Sequence, residues 1–183
     1  MLEPVQALLL IDLQLGSLAA VPEAPRLLDR AGDLLTRARQ AGALVLHVQN
    51  DGAPGTPDAP GEPGWDLHFT VEPGARETTF RKLQDDSFAD TPLSDLLAAH
   101  DVKSVALCGL MSEMCVSATA RTALARGLRV VLPHDAHTTT GIPATATTPA
   151  VSAEVVSRVA EWALGDELEQ VERAAEVRFS YLR

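Results

Sequence analysis

The sequence predicts an α/β domain in which helices cover both faces of a parallel sheet. Short, fully apolar runs alternate along the chain with stretches whose apolar residues have helical spacing. This alternation is typical of parallel sheets, because a parallel connection needs a crossover that is usually a helix. A length of 183 residues fits one domain spanning residues 1–183, with a core that must be aliphatic because aromatic residues are only 4% of the chain.

The elements follow one another in a regular order. Residues 7–11 are apolar at every position, as expected for a strand buried on both faces, and they end at Asp12. Residues 25–41 have the apolar spacing of a helix, which Gly42 should end. The remaining predicted strands are 43–48, 79–82, 102–108, 128–132 and 168–171, and the remaining predicted helices are 93–99, 115–126 and 155–164.

The composition argues against several kinds of partner and location. The chain has 25 acidic and 15 basic residues, and a net charge of −10 repels nucleic acid and anionic lipid. Two cysteines, Cys108 and Cys115, cannot form a disulfide framework, so free thiols in a reducing compartment are expected. The sequence lacks a signal-peptide pattern and any apolar run near the ~20 residues of a membrane span. We therefore expect a cytoplasmic protein that binds neither nucleic acid nor membrane.

Residues that could perform chemistry follow the predicted strands, and the carboxyl ends of parallel strands form the usual active crevice. Asp12 and Lys82 end two of these strands, and Cys115 follows a third, three residues after the potential N-cap Ser112. A thiol at a helix start should have a lowered pKa, and free amides there could bind an oxyanion. From these features alone, Cys115 could also be a small core residue and Lys82 a solvated lysine, whereas Cys108 is expected in the core.

Four segments, in order, resemble the isochorismatase-like cysteine hydrolases. They are residues 9–14, the lysine segment 81–88, the cysteine segment 109–120 and the segment 131–136. The resemblance implies a three-layer α/β/α sandwich with a Rossmann-like, mainly parallel six-stranded sheet. It also implies a catalytic triad of Asp12, Lys82 and Cys115, a cis peptide between Leu110 and Met111, an oxyanion hole formed by the amides of Met111 and Cys115, and a homo-oligomer, dimeric or larger.

The chain departs from this family at several positions. Met111, Ser112 and Met114 stand where the family commonly has Ala, Thr and often an aromatic residue, which suggests an adaptable pocket. Metal-binding relatives have an Asp-x-His motif after the second strand, where this chain has residues 50–52, Asn-Asp-Gly. We therefore expect no metal and no other cofactor. His134 and His137 leave a metal pair open as an alternative, without an evident third ligand.

The segments around the crevice supply candidate substrate contacts. These are residues that follow the second strand, the Pro/Gly-rich segment 52–64 or the lysine: Gln49, Asp51, Trp65, His68, Asp86 and Phe88. Segments 52–64 and 133–150 should cover the substrate, with a surface excursion as the alternative. Five acids and no lysine or arginine lie between residues 50 and 75. This field favours a neutral or cationic substrate over a dianion.

The sequence thus predicts a cysteine hydrolase that cleaves an amide or lactam C–N bond of a small molecule through a thioester. One alternative is an isochorismatase-type vinyl-ether hydrolase, which would need no cysteine. Another is a thiol sensor or binding protein, for which Cys108 is poorly placed as the resolving cysteine. Nicotinamide-like, carbamoyl, ureido and lactam amides, including a streptothricin-hydrolase-like activity, all remain open as substrates.

Overall fold

A computed structural model describes residues 2–181 and contains a six-stranded sheet with helices packed against it. The strand order is β3-β2-β1-β4-β5-β6, and every pairing is parallel. The strands are β1 Ala7–Ile11, β2 Leu44–Asn50, β3 Glu77–Lys82, β4 Ser104–Gly109, β5 Arg129–Pro133 and β6 Glu169–Val171. The helices are α1 Leu15–Ala19, α2 Ala24–Ala41, α3 Leu93–Ala99, α4 Ser117–Ala125 and α5 Ala153–Trp162. The predicted fold class is confirmed.

The central strand β1 supplies both hydrophobic cores. Leu8 and Leu10 belong to a core shared with α2, whereas Leu9 and Ile11 belong to a core shared with α3 and α4. This explains why the strand is apolar at every position, since each of its faces is covered. Helix α2 ends at Gly42, whose φ of 70° is the left-handed conformation expected of a helix-terminating glycine.

The helix predicted to begin at residue 115 starts differently. A single π-helical turn, Ser112–Val116, precedes α4, and its N-cap residue is Met111. The N-cap role expected for Ser112 is therefore wrong, because its hydroxyl turns towards His137 and Ser157 instead of the helix amides. Cys115 still lies in the first turn after β4. The short helix α1 was not predicted from the sequence.

The register aligns the carboxyl ends of the central strands. Ile11 lies opposite Val48 on one side and Gly109 on the other, and Asn50 lies opposite Lys82. Gly109 approaches β1 so closely that a Cβ atom would stand 2.0 Å from the Ile11 carbonyl oxygen. This position therefore requires glycine.

The Pro/Gly-rich loop 52–64 is tied to this edge of the sheet. The buried amide of Gln14 donates to the carbonyl oxygens of Asn50 and Trp65, both at 3.0 Å. Asn50 also donates to the Asp58 carboxylate at 2.8 Å. These bonds hold the loop over the ends of β1 and β2. Within residues 2–181 we find no helix of the length and apolarity that a membrane crossing needs.

Candidate active site

Asp12, Lys82 and Cys115 meet at the carboxyl edge of the sheet. Lys82 Nζ lies 2.8 Å from Asp12 Oδ2 and 3.2 Å from Cys115 Sγ. The same ammonium reaches Asn50 Oδ1 at 3.3 Å. The structure therefore brings together three residues that lie far apart in the sequence, and it adds Asn50, the last residue of β2. The peptide between Leu110 and Met111 is cis, as the family resemblance implied.

The side chain of Lys82 is fully buried. Burial alone would lower its pKa, but the neighbouring Asp12 carboxylate and Cys115 together outweigh that effect and raise the pKa. Lys82 therefore remains charged. It acts as a fixed cation between the carboxylate and the sulfur.

Asp12 combines backbone strain with an unsatisfied oxygen. Its φ of 54° is left-handed, which is unusual for a residue other than glycine. Burial raises the pKa of Asp12, although Lys82 and the Cys115 thiol act in the opposite direction. Its Oδ1 atom is the one buried side-chain nitrogen or oxygen within residues 2–181 that lacks a hydrogen-bond partner. An acceptor with a raised pKa and a free oxygen is suited to take a proton.

The expectation that Cys115 has a lowered pKa is wrong. Burial raises the pKa of this thiol first, and the Asp12 carboxylate raises it further, against the opposing effect of Lys82. The resting side chain is therefore a thiol, and it needs a base to become a nucleophile. Cys108 is fully buried in the core shared with α2, as expected for a core residue.

A cleft borders the buried lysine. Its cavity has a volume of about 290 Å³. It is lined by Asp51, Arg81, Lys82, Leu83, Gln84, Ala89 and Asp90. Asp85, which is exposed, places Oδ1 3.6 Å from Cys115 Sγ. The sequence alone did not place Asp85 beside the sulfur.

Asp51, one of the predicted substrate-binding residues, lines this cleft and contacts Trp65, which is another of them. Asp51 accepts a hydrogen bond from Trp65 Nε1 at 3.0 Å and another from Arg81 Nε at 2.8 Å. The Arg81 guanidinium lies 5.1 Å from the centre of the Trp65 ring. Gln49 is buried on β2 and donates to the Trp65 carbonyl oxygen at 2.8 Å, so it ties the end of the Pro/Gly-rich loop to this strand.

The other three predicted contacts have structural roles. His68 is exposed and packs edge-on against Phe69. Asp86 accepts from the Phe88 amide and the Thr122 hydroxyl, and Phe88 is 6% exposed within the core shared with α3 and α4. Phe88 thus packs in the core and Asp86 is tied to α4, while the substrate contacts expected of His68, Asp86 and Phe88 stay predictions.

The two histidines considered as a metal pair bind a carboxylate. His134 Nδ1 and His137 Nε2 both bond Glu161 Oε1, at 2.7 and 2.9 Å. Residues 2–181 contain no group of three or more His, Cys, Asp or Glu side chains arranged to hold a metal ion. The partner of these histidines could not be found from spacing, because Glu161 lies on α5, more than twenty positions away in the chain.

Comparisons with known proteins agree with this architecture. The isochorismatase domain model matches residues 6–163. A streptothricin hydrolase of Streptomyces noursei is 59% identical over 183 residues, which cover 98% of this chain and 73% of that protein. Another streptothricin hydrolase of that organism is 61% identical over 179 residues, which cover 96% of this chain and 65% of that hydrolase. The crystal structure of an isochorismatase from Pseudomonas putida superposes with a TM-score of 0.85 at 25% identity, covering 97% of this chain and 94% of that one. This chain therefore spans only part of the length of both streptothricin hydrolases.

Proposed function

The chain belongs to the isochorismatase family and is a hydrolase of carbon–nitrogen bonds other than peptide bonds, and from that premise we propose that it acts through Cys115 as a covalent nucleophile. The observation that carries this proposal is the free oxygen of Asp12. Asp12 has a buried oxygen without a partner, its carboxylate raises the pKa of the Cys115 thiol, and a buried ammonium contacts both residues. This arrangement provides a nucleophile, its base and the compensating charge.

The proposed reaction begins with proton transfer. Asp12 Oδ1 takes the Cys115 proton while Sγ attacks the carbonyl carbon, and the C=O electron pair moves to oxygen. The backbone amides of Met111 and Cys115 are the proposed donors to that oxyanion. Lys82 stabilises the negative charge that passes between Asp12 and Cys115.

The C–N bond then breaks and the proton held by Asp12 passes to the leaving nitrogen. The product is a thioester on Cys115 and a free amine, or a ring-opened amine if the substrate is a lactam. Water attacks the thioester while Asp12 accepts its proton. As the C–S bond breaks, Asp12 passes that proton to the sulfur, which returns Cys115 to the thiol and releases the acid product. These steps require no cofactor, so we expect activity to persist in the presence of a chelator.

The substrate class can be narrowed by charge. We propose a cationic or neutral amide, with streptothricin as the first compound to test because two streptothricin hydrolases are about 60% identical to this chain. Asp51 is already paired with Arg81, and Asp58 accepts hydrogen bonds from Asn50 and Thr56. Asp85 has Cys115 as its sole hydrogen-bond partner within residues 2–181. It is therefore the acid best placed to bind a substrate cation next to the reacting carbonyl.

The nucleophile is tested by comparing the two cysteines. Cys115→Ala should lose streptothricin or small-amide hydrolysis by on the order of 10³-fold in kcat, because the covalent step is removed. Cys108→Ala serves as the matched control and should retain most activity, since Cys108 is in the core. Trapping of the acyl group on the peptide that contains Cys115, measured by mass spectrometry, completes the test. Equal turnover by wild type and Cys115→Ala would overturn the covalent mechanism.

The role of Asp85 is tested with amides that differ only in a remote ammonium, neutral or carboxylate group. Wild type should prefer the cationic member in kcat/KM, and Asp85→Asn should reduce that preference about fivefold, as expected for one exposed ion pair. Asp90→Asn removes an acid from the cleft rim that is bonded to Gln84, so it provides the control. A preference for the carboxylate member in wild type would favour the vinyl-ether alternative instead.

Assembly and location are further parts of the proposal. We propose a homo-oligomer that forms through the outer face of α5, where Val155, Val159 and Trp162 are 50%, 55% and 77% exposed. Ile142 extends this apolar surface and is 52% exposed. Large contiguous apolar surfaces usually mark interfaces. We also propose a cytoplasmic location, which is supported by the two free cysteines.

A further inference from the structure

The hydroxyl of Ser112 is turned away from the helix that it was expected to cap. Ser112 lies between the cis peptide and Cys115, at the start of the turn that carries the nucleophile. Its Oγ lies 2.8 Å from His137 Nδ1 and 2.9 Å from Ser157 Oγ, and the residue is only 2% exposed. The serine therefore connects the nucleophile turn to a buried polar network.

Glu161 lies at one end of this hydrogen-bond network and is held in place by its hydrogen bonds. Its side chain is fully buried, and its two oxygens accept hydrogen bonds from His134, His137, Arg158 and Gln170. Although burial would raise the pKa of Glu161, the hydrogen bonds from the two histidines hold it at about 2. Glu161 is therefore a charged carboxylate whose acceptor positions are occupied.

The carboxylate sets the direction of its hydrogen bond with His137. A charged carboxylate can only accept, so His137 Nε2 must donate to it. The other ring nitrogen of His137, Nδ1, lies 2.8 Å from Ser112 Oγ, so the ring links Glu161 to Ser112. Ser157 can in turn donate to Ser112. One continuous chain of hydrogen bonds therefore runs from α5 to the nucleophile turn.

The backbone around His137 holds the same turn. His137 forms a parallel bridge with Gly109, and the Ser112 amide donates to the Thr138 carbonyl oxygen at 3.0 Å. Thr139 Oγ1 donates to the Glu113 carboxylate at 2.9 Å. Residues 137–139 therefore contact the turn on both sides of Ser112.

We infer that Ser112, His137 and Glu161 are positioning residues that orient the Met111–Cys115 turn for acyl transfer. The inference rests on the proposed function, because it assumes that the amides of this turn bind the oxyanion. A buried charged group costs free energy that apolar packing would not, which argues for a role in orientation beyond stability. A displacement of about 1 Å in such a group can cost roughly 100-fold in rate.

The test compares a variant that lacks the Ser112 hydroxyl with a variant that keeps a hydroxyl at this position. Ser112→Ala should lower kcat roughly 10- to 100-fold with KM changed less than about twofold, because the lost orientation matters mainly in the transition state. Ser112→Thr retains the hydroxyl and should recover most of kcat. Ser104→Ala is the matched control, since Ser104 is another buried serine, at the opposite end of β4, and it should be nearly unchanged.

A second readout separates orientation from general disruption. Alkylation of Cys115 by iodoacetamide depends on Asp12, Lys82 and the sulfur but not on the oxyanion amides, so Ser112→Ala should alkylate within about twofold of wild type. Glu161→Gln, at the far end of the network, should show the same pattern of lower kcat with unchanged alkylation.

Three results would overturn the inference. Unchanged kcat in Ser112→Ala would show that the hydroxyl does not orient the turn. An equal loss of kcat and alkylation in both network variants would show that the network only maintains the fold. Undiminished turnover in Cys115→Ala would overturn the proposed function itself, and this inference with it.

Discussion

Asp12 is a buried carboxylate that affects the protonation of the buried Cys115 thiol. Both groups have raised pKa values, and the buried Lys82 ammonium contacts both. The thiolate is therefore disfavoured until a proton can move to Asp12. In the proposed mechanism, the thiol of Cys115 transfers its proton to Asp12 during the attack, and no thiolate is present beforehand.

This balance predicts opposite effects for two substitutions. Asp12→Asn should abolish turnover yet alkylate about tenfold faster at neutral pH, because the carboxylate that raises the pKa of Cys115 is gone while Lys82 remains. Lys82→Met should alkylate more slowly, since the cation that favours thiolate is lost. Alkylation is followed by mass spectrometry of the peptide that contains Cys115.

Asp90→Asn is the control for both variants and should alkylate at the wild-type rate, because Asp90 lies on the cleft rim and bonds Gln84. Slower alkylation of Asp12→Asn would show that Asp12 does not raise the pKa of Cys115.

Among the elements, the contact between β1 and β4 sets the position of the nucleophile turn. Gly109 has a φ of 142°, and an added Cβ would meet the Ile11 carbonyl oxygen at 2.0 Å. Gly109→Ala should therefore lower the free energy of unfolding by about 2 kcal/mol or more and reduce turnover. Urea unfolding and kcat measure the two effects.

Gly127→Ala is the matched control for this element. Gly127 has a φ of 78°, and no atom of residues 2–181 lies within 4 Å of the added Cβ, so the backbone cost of about 1 kcal/mol is the expected effect. If Gly109→Ala were no less stable than Gly127→Ala, the close approach of β4 to β1 would not constrain this position.

The elements also show what local sequence can and cannot predict. The central strands β1 and β4 were predictable because burial on both faces favours long apolar runs, and the proximity of Asp12, Lys82 and Cys115 followed from strand ends and family motifs. The π-helical turn was not predictable, because the Ser112 amide donates to the carbonyl oxygen of Thr138, which lies in a distant segment of the chain. From the sequence alone, Glu161 likewise resembles an exposed charged residue of a helix, because its contacts with two histidines and with β6 depend on the tertiary fold.

For the whole molecule, the outer face of α5 is the surface that assembly would cover. Val159→Arg places a charge at the centre of its exposed apolar residues and should shift the protein towards monomer, because an unpaired charge in an interface is costly. Light scattering across a range of protein concentrations measures the mass.

Leu15→Arg is the control for assembly, because Leu15 is a similarly exposed apolar residue on α1, and it should leave the mass unchanged. A monomeric wild type at all concentrations would contradict the proposed oligomer.

The placement of the two tryptophans gives the protein a built-in optical reporter. Trp162 is 77% exposed on α5, whereas Trp65 is partly buried and contacts Asp51 and Arg81, two residues that line the cleft. Trp162→Phe would leave Trp65 as the sole indole fluorophore in a chain with two tryptophans. Emission from that variant would report directly on the charge and hydration of the cleft, so ligand entry could be followed in real time without a label and without turnover.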